Sequence, residues 1–301
     1  MELFDIVICL GPLDRNKINT QLKFTKKNVI GFHKIFIITK VNGDSFLNKE
    51  HSDCIIIDEN IFPFGFKDLA RSDISKSRRG WYLQQLLKLY AGIVIPNILN
   101  KYLVIDADTY FLQPTKFISN NNKPMYNFGY EYNKPYFDHM KRLHSSLTKN
   151  TKHSGICHHM MFDTIFVKKM FKLIEETYQD RFWKIFIDKL PKKEWLVELG
   201  FKSDSRASEY ELYFNYMLTY HRSEIEIRKL KWSNTNKLPN KYYEYNESYV
   251  SCHWYMNNKV NLLNIWWKQG NSLYQLLFFL IILIIIFLLF YLYYLYFIKN
   301  I

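Results

Sequence analysis

The stretch KYLVIDADTYFLQP, Lys101 to Pro114, carries four apolar residues, Tyr102 to Ile105, straight into two carboxylates, Asp106 and Asp108, with only Ala107 between them. The apolar run has the length and β-branching of a strand covered on both faces. Charge placed beside a core is costly unless something compensates it. The pair therefore either caps a turn or holds a cation.

Three further runs of the same kind surround it: FDIVICL (Phe4 to Leu10), KIFIIT (Lys34 to Thr39) and CIIID (Cys54 to Asp58). Between the first two lies NKINTQLKFTKKN, long enough for a crossover helix. Between Cys54 and Tyr102 lies RRGWYLQQLLKLYAGIVIP, where Trp81, Leu83, Leu86, Leu87 and Tyr90 recur at helical spacing until Pro96 stops the pattern. Strand, helix, strand in alternation predicts an α/β domain. In such sheets ligands lie beyond the strands' carboxyl ends, which is where Asp58, Asp106 and Asp108 fall. Asp5, near the start of its strand, reads as structural. Later, MYNFGYEY and EIEIRKL read as strands, and Phe166–Tyr178, Asp180–Leu190 and Ser208–Tyr220 as helices.

The chain has 301 residues. Its segment 273–298, LYQLLFFLIILIIIFLLFYLYYLYFI, has no charge, proline or glycine. That exceeds the roughly 20 apolar residues a transmembrane helix needs. The expected layout is a domain over 1–258, a juxtamembrane segment over 259–272 and a membrane helix over 273–298. No basic, cleavable leader is evident at the amino end. A tail anchor with the domain in the cytosol is the expected arrangement, and Lys259 and Lys268 agree with it. The 4 cysteines are scattered and form no CxxC, so no disulfide framework is expected. A formal charge of +13 without a nucleic-acid motif points to an anionic membrane leaflet, not to nucleic acid.

Two carboxylates one residue apart at a strand's end suit a hard cation, Mn²⁺ or Mg²⁺, whose shell is completed by phosphate oxygens and water. Arg78 and Arg79 open the helix near Gly80, where a helix N-terminus and a guanidinium both favour phosphate; a solvated basic turn is the plainer alternative. Gln84 and Lys88 share a helix face. Lys88, set among leucines, either pairs with an aspartate of the DxD or snorkels to solvent. Ser208 and Glu211 fit a capping box, which leaves Glu209 in the first turn as an ionised carboxylate suited to a general base or an ordinary acidic turn. His158 and His159 are neighbours, so they face opposite sides of a strand and one of them is structural. A zinc site with Cys157, Cys252 and His253 is disfavoured by spacing.

RGWYLQQLLKL followed by YLVIDADTYFLQP resembles the DxD glycosyltransferases of the GT-A fold, with a Rossmann-related mixed sheet flanked by helices. It resembles more closely a group with an RxGW-x-x-Q-Q-x-x-K helix, an HH-M segment, an SEYE-x-Y helix and a late HW. Here these are Arg78–Lys88, His158–Met160, Ser208–Tyr213 and His253–Trp254, in the expected order. The resemblance implies a nucleotide-sugar donor, UDP- or GDP-linked, and a glycan, lipid or protein acceptor. It implies Asp108 and Asp106 at the metal, with Asp106 also near the ribose, and His253 as a late third ligand; by itself His253 reads equally as core. Arg78, Arg79, Gln84 and Lys88 fall on the donor side, His158 and His159 on the acceptor side, and Glu209 as the catalytic carboxylate. A C-terminal anchor departs from many GT-A enzymes. The rival readings are a nucleotidyltransferase, for which a third carboxylate and a glycine-rich loop are missing, and a membrane-tethered binding protein on a degenerate transferase fold.

Overall fold

A computed structural model describes residues 2–41, 46–194, 197, 204–239, 246–253, 280, 281, 283–291 and 293. The chain divides into two units, Met1–Cys252 and His253–Ile301.

In the first unit the chain runs β1 (Phe4–Cys9), α1 (Ile18–Asn28), β2 (Val29–Ile30), β3 (Phe32–Thr39), β4 (Ile55–Asp58), α2 (Arg79–Val94), β5 (Lys101–Ile105), β6 (Thr109–Phe111) and β7 (Thr115–Lys116). It continues through β8 (Met125–Tyr126), α3 (Lys134–Leu143), β9 (His159–Asp163), α4 (Thr164–Tyr178), α5 (Phe182–Asp188), α6 (Glu209–Tyr220), β10 (Glu226–Ile227), β11 (Trp232–Thr235) and β12 (Tyr249–Cys252).

The main sheet has the order β4-β3-β1-β5-β9. The first four strands are parallel, and β9 adds antiparallel to β5, with Ile105 opposite His159. The parallel α/β sheet expected from the apolar runs is present, and β9 makes it mixed. β1 is buried at every residue, which is why its sequence does not alternate. Because β1, β3, β4 and β5 run the same way, the turns after Cys9, Thr39, Asp58 and Ile105 meet at one edge. β9 begins at that edge, since it runs the opposite way.

Helix α2 lies on β1 and β5 and also meets α4 and α6. The close approach depends on Gly92: a Cβ there would come 2.2 Å from Thr164 Oγ1 and 2.5 Å from the Tyr102 ring. Asp163 caps α4 by accepting from Ile165 N at 2.8 Å, and Ser208 caps α6 by accepting from Glu211 N at 3.3 Å. The returning half of the capping box is replaced: Glu211 is fully buried and its Oε2 accepts from Asn215 Nδ2 at 3.0 Å. Asp5 is structural as expected, accepting from Lys34 N at 3.0 Å and Leu99 N at 2.7 Å. Asp58 caps the short turn after β4 through Asn60 N and so has a local job at its strand end.

Two predicted strands are shorter than their patterns. Of MYNFGYEY only Met125–Tyr126 pairs, with Glu226–Ile227, and beyond it Gly129 makes a single bridge to Ser154. Tyr130 and Tyr132 face outward, so the alternation there has no second sheet to bury it.

In the second unit, residues 280, 281, 283–291 and 293 are helical and their side chains are exposed. The expected membrane segment 273–298 lies partly outside the described residues, and 259–272 wholly so. Among the described residues no helix is long and apolar enough to cross a membrane.

Candidate active site

The site forms where the turn after β5 meets α2, the loop before β9 and the first turn of α6. Asp106 N donates to His158 O at 2.9 Å, which ties the two loops together by backbone. Thr109 N donates to Asp106 O at 3.0 Å and closes the DxD turn. Ala107 is buried, while Asp106 and Asp108 are half-buried. The pair thus sits on a tight turn with a small buried residue between, not on a free loop.

Lys88 is the centre of the arrangement. It comes from the middle of α2, is 4% exposed, and places Nζ 2.6 Å from Asp106 Oδ1 and 2.7 Å from Glu209 Oε1. Its ammonium also lies 4.3 Å from the Tyr210 ring centroid. Burial alone would favour the neutral amine, but the two carboxylates override it and raise the Lys88 pKa. Asp106 mirrors this. Burial would raise its pKa, but Lys88 and then His158 hold it well below the usual carboxylate range. Tyr210 completes the set by donating its hydroxyl to Asp106 Oδ1 at 2.8 Å. Gln85 Oε1 accepts from Glu209 N at 3.1 Å, fixing the start of α6 against α2.

His158 and His159 separate, although His158 lies just before β9 and outside the strand. His158 has a left-handed backbone, φ 61°, and places Nδ1 3.5 Å from Asp106 Oδ2. A histidine in that conformation is uncommon, and strained positions gather at functional sites. His159 turns inward. Its ring meets Phe111, Phe117 and Tyr249 edge-on, and burial lowers its pKa to about 3. Of the two residues expected on the acceptor side, His159 is therefore core.

Other expected residues fall elsewhere. Glu209, expected as the ionised catalytic carboxylate, is 4% exposed and ion-paired to Lys88. Gln84 is half-buried, and the contact with α6 is made by Gln85 instead. Arg78 bonds the Ser205 hydroxyl and lies over Trp81, 4.3 Å from its centroid. Arg79 precedes Lys88 by nine residues, about 14 Å along a helix axis, so the two arginines stand apart from the Asp106 centre. Cys252 N donates to Asp108 O at 2.8 Å, and His253 follows it as the first residue of the second unit. Trp254 lies outside the described residues.

Two participants escaped the sequence reading. Tyr210 sits inside SEYE-x-Y, but nothing in its spacing announces a bond to a residue 104 positions away. Asp14 follows β1 at the same edge and is paired with Lys17 at 3.1 Å. Burial raises its pKa, Lys17 opposes this, and the charges of Asp108 and Asp106 add to the rise. The strand-end rule that singled out Asp58 and Asp106 could have flagged it.

Among the described residues no three His, Cys, Asp or Glu side chains gather into a complete metal cage. Of the residues expected at a metal, Asp106 and Asp108 share one tight turn. Mg²⁺ is commonly held by one or two carboxylates with the rest of its shell from substrate phosphates and water. Asp106 Oδ1 accepts two hydrogen bonds, from Lys88 and Tyr210.

Several solved structures are similar to this chain. An active-site variant of LgtC matches with TM-score 0.45 and 10% identity, covering 82% of this chain and 86% of that one. The galactosyltransferase LgtC with donor and acceptor sugar analogues matches with TM-score 0.37 and 12% identity, covering 63% and 71%. Mouse xyloside xylosyltransferase 1, apo form, matches with TM-score 0.35 and 10% identity, covering 85% and 99%. Likenesses this distant leave the chemistry to be read from the side chains themselves. No curated protein matches the chain. One family model does, over residues 20–269, and by that match the chain belongs to the family of unknown function DUF6492.

Proposed function

We propose that the domain is a metal-dependent glycosyltransferase that moves a sugar from a UDP- or GDP-linked donor to a hydroxyl of a glycan, lipid or protein. The observation that carries this is the tight Asp106-Ala107-Asp108 turn beyond β5. Asp106 is engaged by Lys88, Tyr210 and His158, while the turn it shares with Asp108 stands at the carboxyl edge of the sheet. In this reading Mn²⁺ or Mg²⁺ is held by Asp108, with Asp106 beside it. When bound, the cation supplies charge neutralisation for the diphosphate. Lys88 keeps Asp106 ionised and oriented. Glu209 is a positioning residue that holds Lys88 from the other side. His158, in contact with Asp106, stands where the acceptor side begins. The apolar segment 273–298 serves as the membrane anchor, and the domain works on the cytosolic face.

The test is hydrolysis of a panel of UDP- and GDP-sugars by the full chain with Mn²⁺. Asp108→Asn should lower that hydrolysis at least about a hundredfold, the scale of losing a preorganised electrostatic contribution, with an unchanged melting temperature. Full activity in a folded Asp108→Asn protein would remove the metal assignment.

A further inference from the structure

Strand β12 grips both loops that meet at Asp106. On the DxD side, Cys252 N donates to Asp108 O at 2.8 Å, and the buried hydroxyls of Ser251 and Thr109 share a hydrogen bond of 2.7 Å. On the histidine side, the Tyr249 hydroxyl donates to Cys157 O at 2.9 Å. That carbonyl immediately precedes His158, whose left-handed backbone brings its own carbonyl to Asp106 N at 2.9 Å. His158 is thus held on both sides, by a side chain before it and by the DxD turn after it.

The Tyr249 hydroxyl is itself oriented by a chain of fixed donors. Leu230 N can only donate, so the Asn127 atom 2.9 Å from it is the acceptor Oδ1. That turns Asn127 Nδ2 to the Tyr249 oxygen, also at 2.9 Å, and leaves the phenolic proton for Cys157 O. Tyr249 is fully buried, and burial raises its pKa, so it stays a donor. Its ring stacks on Trp232, 5.6 Å away at 9°, and Trp232 meets His158 edge-on with centroids 5.1 Å apart. A phenylalanine would keep the ring contacts with Trp232, His159 and Phe111, so the core does not need the hydroxyl.

We propose that Tyr249 is a positioning residue: through Cys157 O it fixes the left-handed turn that holds His158 against Asp106. Its part in the reaction rests on the transferase reading, in which His158 stands where the acceptor side begins. Without the hydroxyl, the buried Cys157 carbonyl loses the Tyr249 donor. His158 is then released toward the extended backbone that non-glycine residues prefer. Its Nδ1, 3.5 Å from Asp106 Oδ2, moves off the carboxylate.

The experiment compares Tyr249→Phe with wild type, as full chains in detergent, by donor hydrolysis with Mn²⁺ and by hydrogen exchange read by mass spectrometry. Exchange over residues 105–108 and 156–160 should speed up about tenfold or more, since the Asp106 amide loses its fixed acceptor, while β1 and β3 stay unchanged. The kcat should fall about tenfold to a hundredfold, the scale of a displacement of about 1 Å near the reacting groups. The donor KM should change less than about twofold. In a His158→Ala background the same substitution should alter kcat by less than about twofold. If Tyr249→Phe fails to fold, Asn127→Asp offers the Tyr249 proton a carboxylate in place of Cys157 O and carries the same predictions. Exchange that stays at the wild-type rate overturns the assignment. So does an unchanged kcat per folded molecule, or an equal loss in the His158→Ala background, either of which makes Tyr249 a core residue only. A wild type that hydrolyses no donor removes the transferase reading. Faster exchange at 156–160 in the variant then upholds the hold of Tyr249 on His158, and unchanged exchange there overturns it.

Discussion

Asp5 and Asp106 are aspartates at opposite ends of neighbouring strands, and they are satisfied in different ways. Asp5 is fully buried and takes two backbone N–H groups, from Lys34 and Leu99, with His33 Nδ1 3.3 Å from its Oδ1 as a side-chain contact. Asp106 accepts from side chains, Lys88 and Tyr210, and faces His158. A carboxylate held by backbone is locked into the fold, because its partners move only if the chain does. One held by side chains from separate elements can exchange partners when a ligand arrives. The difference marks the carboxyl edge as the place for chemistry and the amino edge as scaffold.

The strongest way to break the contrast is to remove Lys88. Lys88→Met leaves Asp106 and Glu209 buried without their cation, and should cost about 3–5 kcal/mol, the usual penalty for breaking a buried pair. Urea unfolding at neutral pH measures it. A loss under about 1 kcal/mol would mean that solvent, not Lys88, satisfies the carboxylates.

Asp5→Ala strands two buried backbone donors and should cost about 2 kcal/mol. Donor hydrolysis at saturating Mn²⁺ should be unchanged. A fall in activity without a fall in stability would show that the amino edge also serves the site.

Buried groups with no charged partner extend the comparison through pH. Burial lowers the His139 pKa to about 4 and that of His159 to about 3. Both are neutral in the folded chain, while the unfolded chain takes up protons below about pH 6.5. Their stability is therefore complete above that pH and is lost as pH falls, by about 2 kcal/mol each at pH 5. Denaturant midpoints at pH 7.5 and pH 5 give the slope. His159→Phe, which keeps the aromatic packing, should remove about half of it.

The smallest effect is expected at Tyr210. Tyr210→Phe deletes one of two hydrogen bonds to Asp106 Oδ1 and should cost about 1 kcal/mol, because Lys88 stays in place. A double-mutant cycle with Lys88→Met should give a non-zero coupling, since both groups bond the same oxygen.

The sequence by itself determined the strands and helices of the main sheet, since unbroken β-branched runs and 3.6-residue spacing are local properties. β1, β3, β4, β5 and α2 all lie within a few residues of their patterns. It also placed Asp106 and Asp108 at a strand's carboxyl end. Tertiary structure decided which histidine faces Asp106, because β9 begins at His159 and His158 turns off it with a left-handed backbone, tied to Asp106 N through its carbonyl. It also decided that Lys88 binds two carboxylates and does not snorkel. One of them, Glu209, is 121 residues away, and no local pattern encodes a contact at that distance. It kept only Met125–Tyr126 of MYNFGYEY as a paired strand and left Tyr130 and Tyr132 exposed, since alternation buries a face only where a partner sheet covers it. Periodicity is written into neighbouring residues, whereas the pairing of charges depends on where the folded chain brings distant elements together.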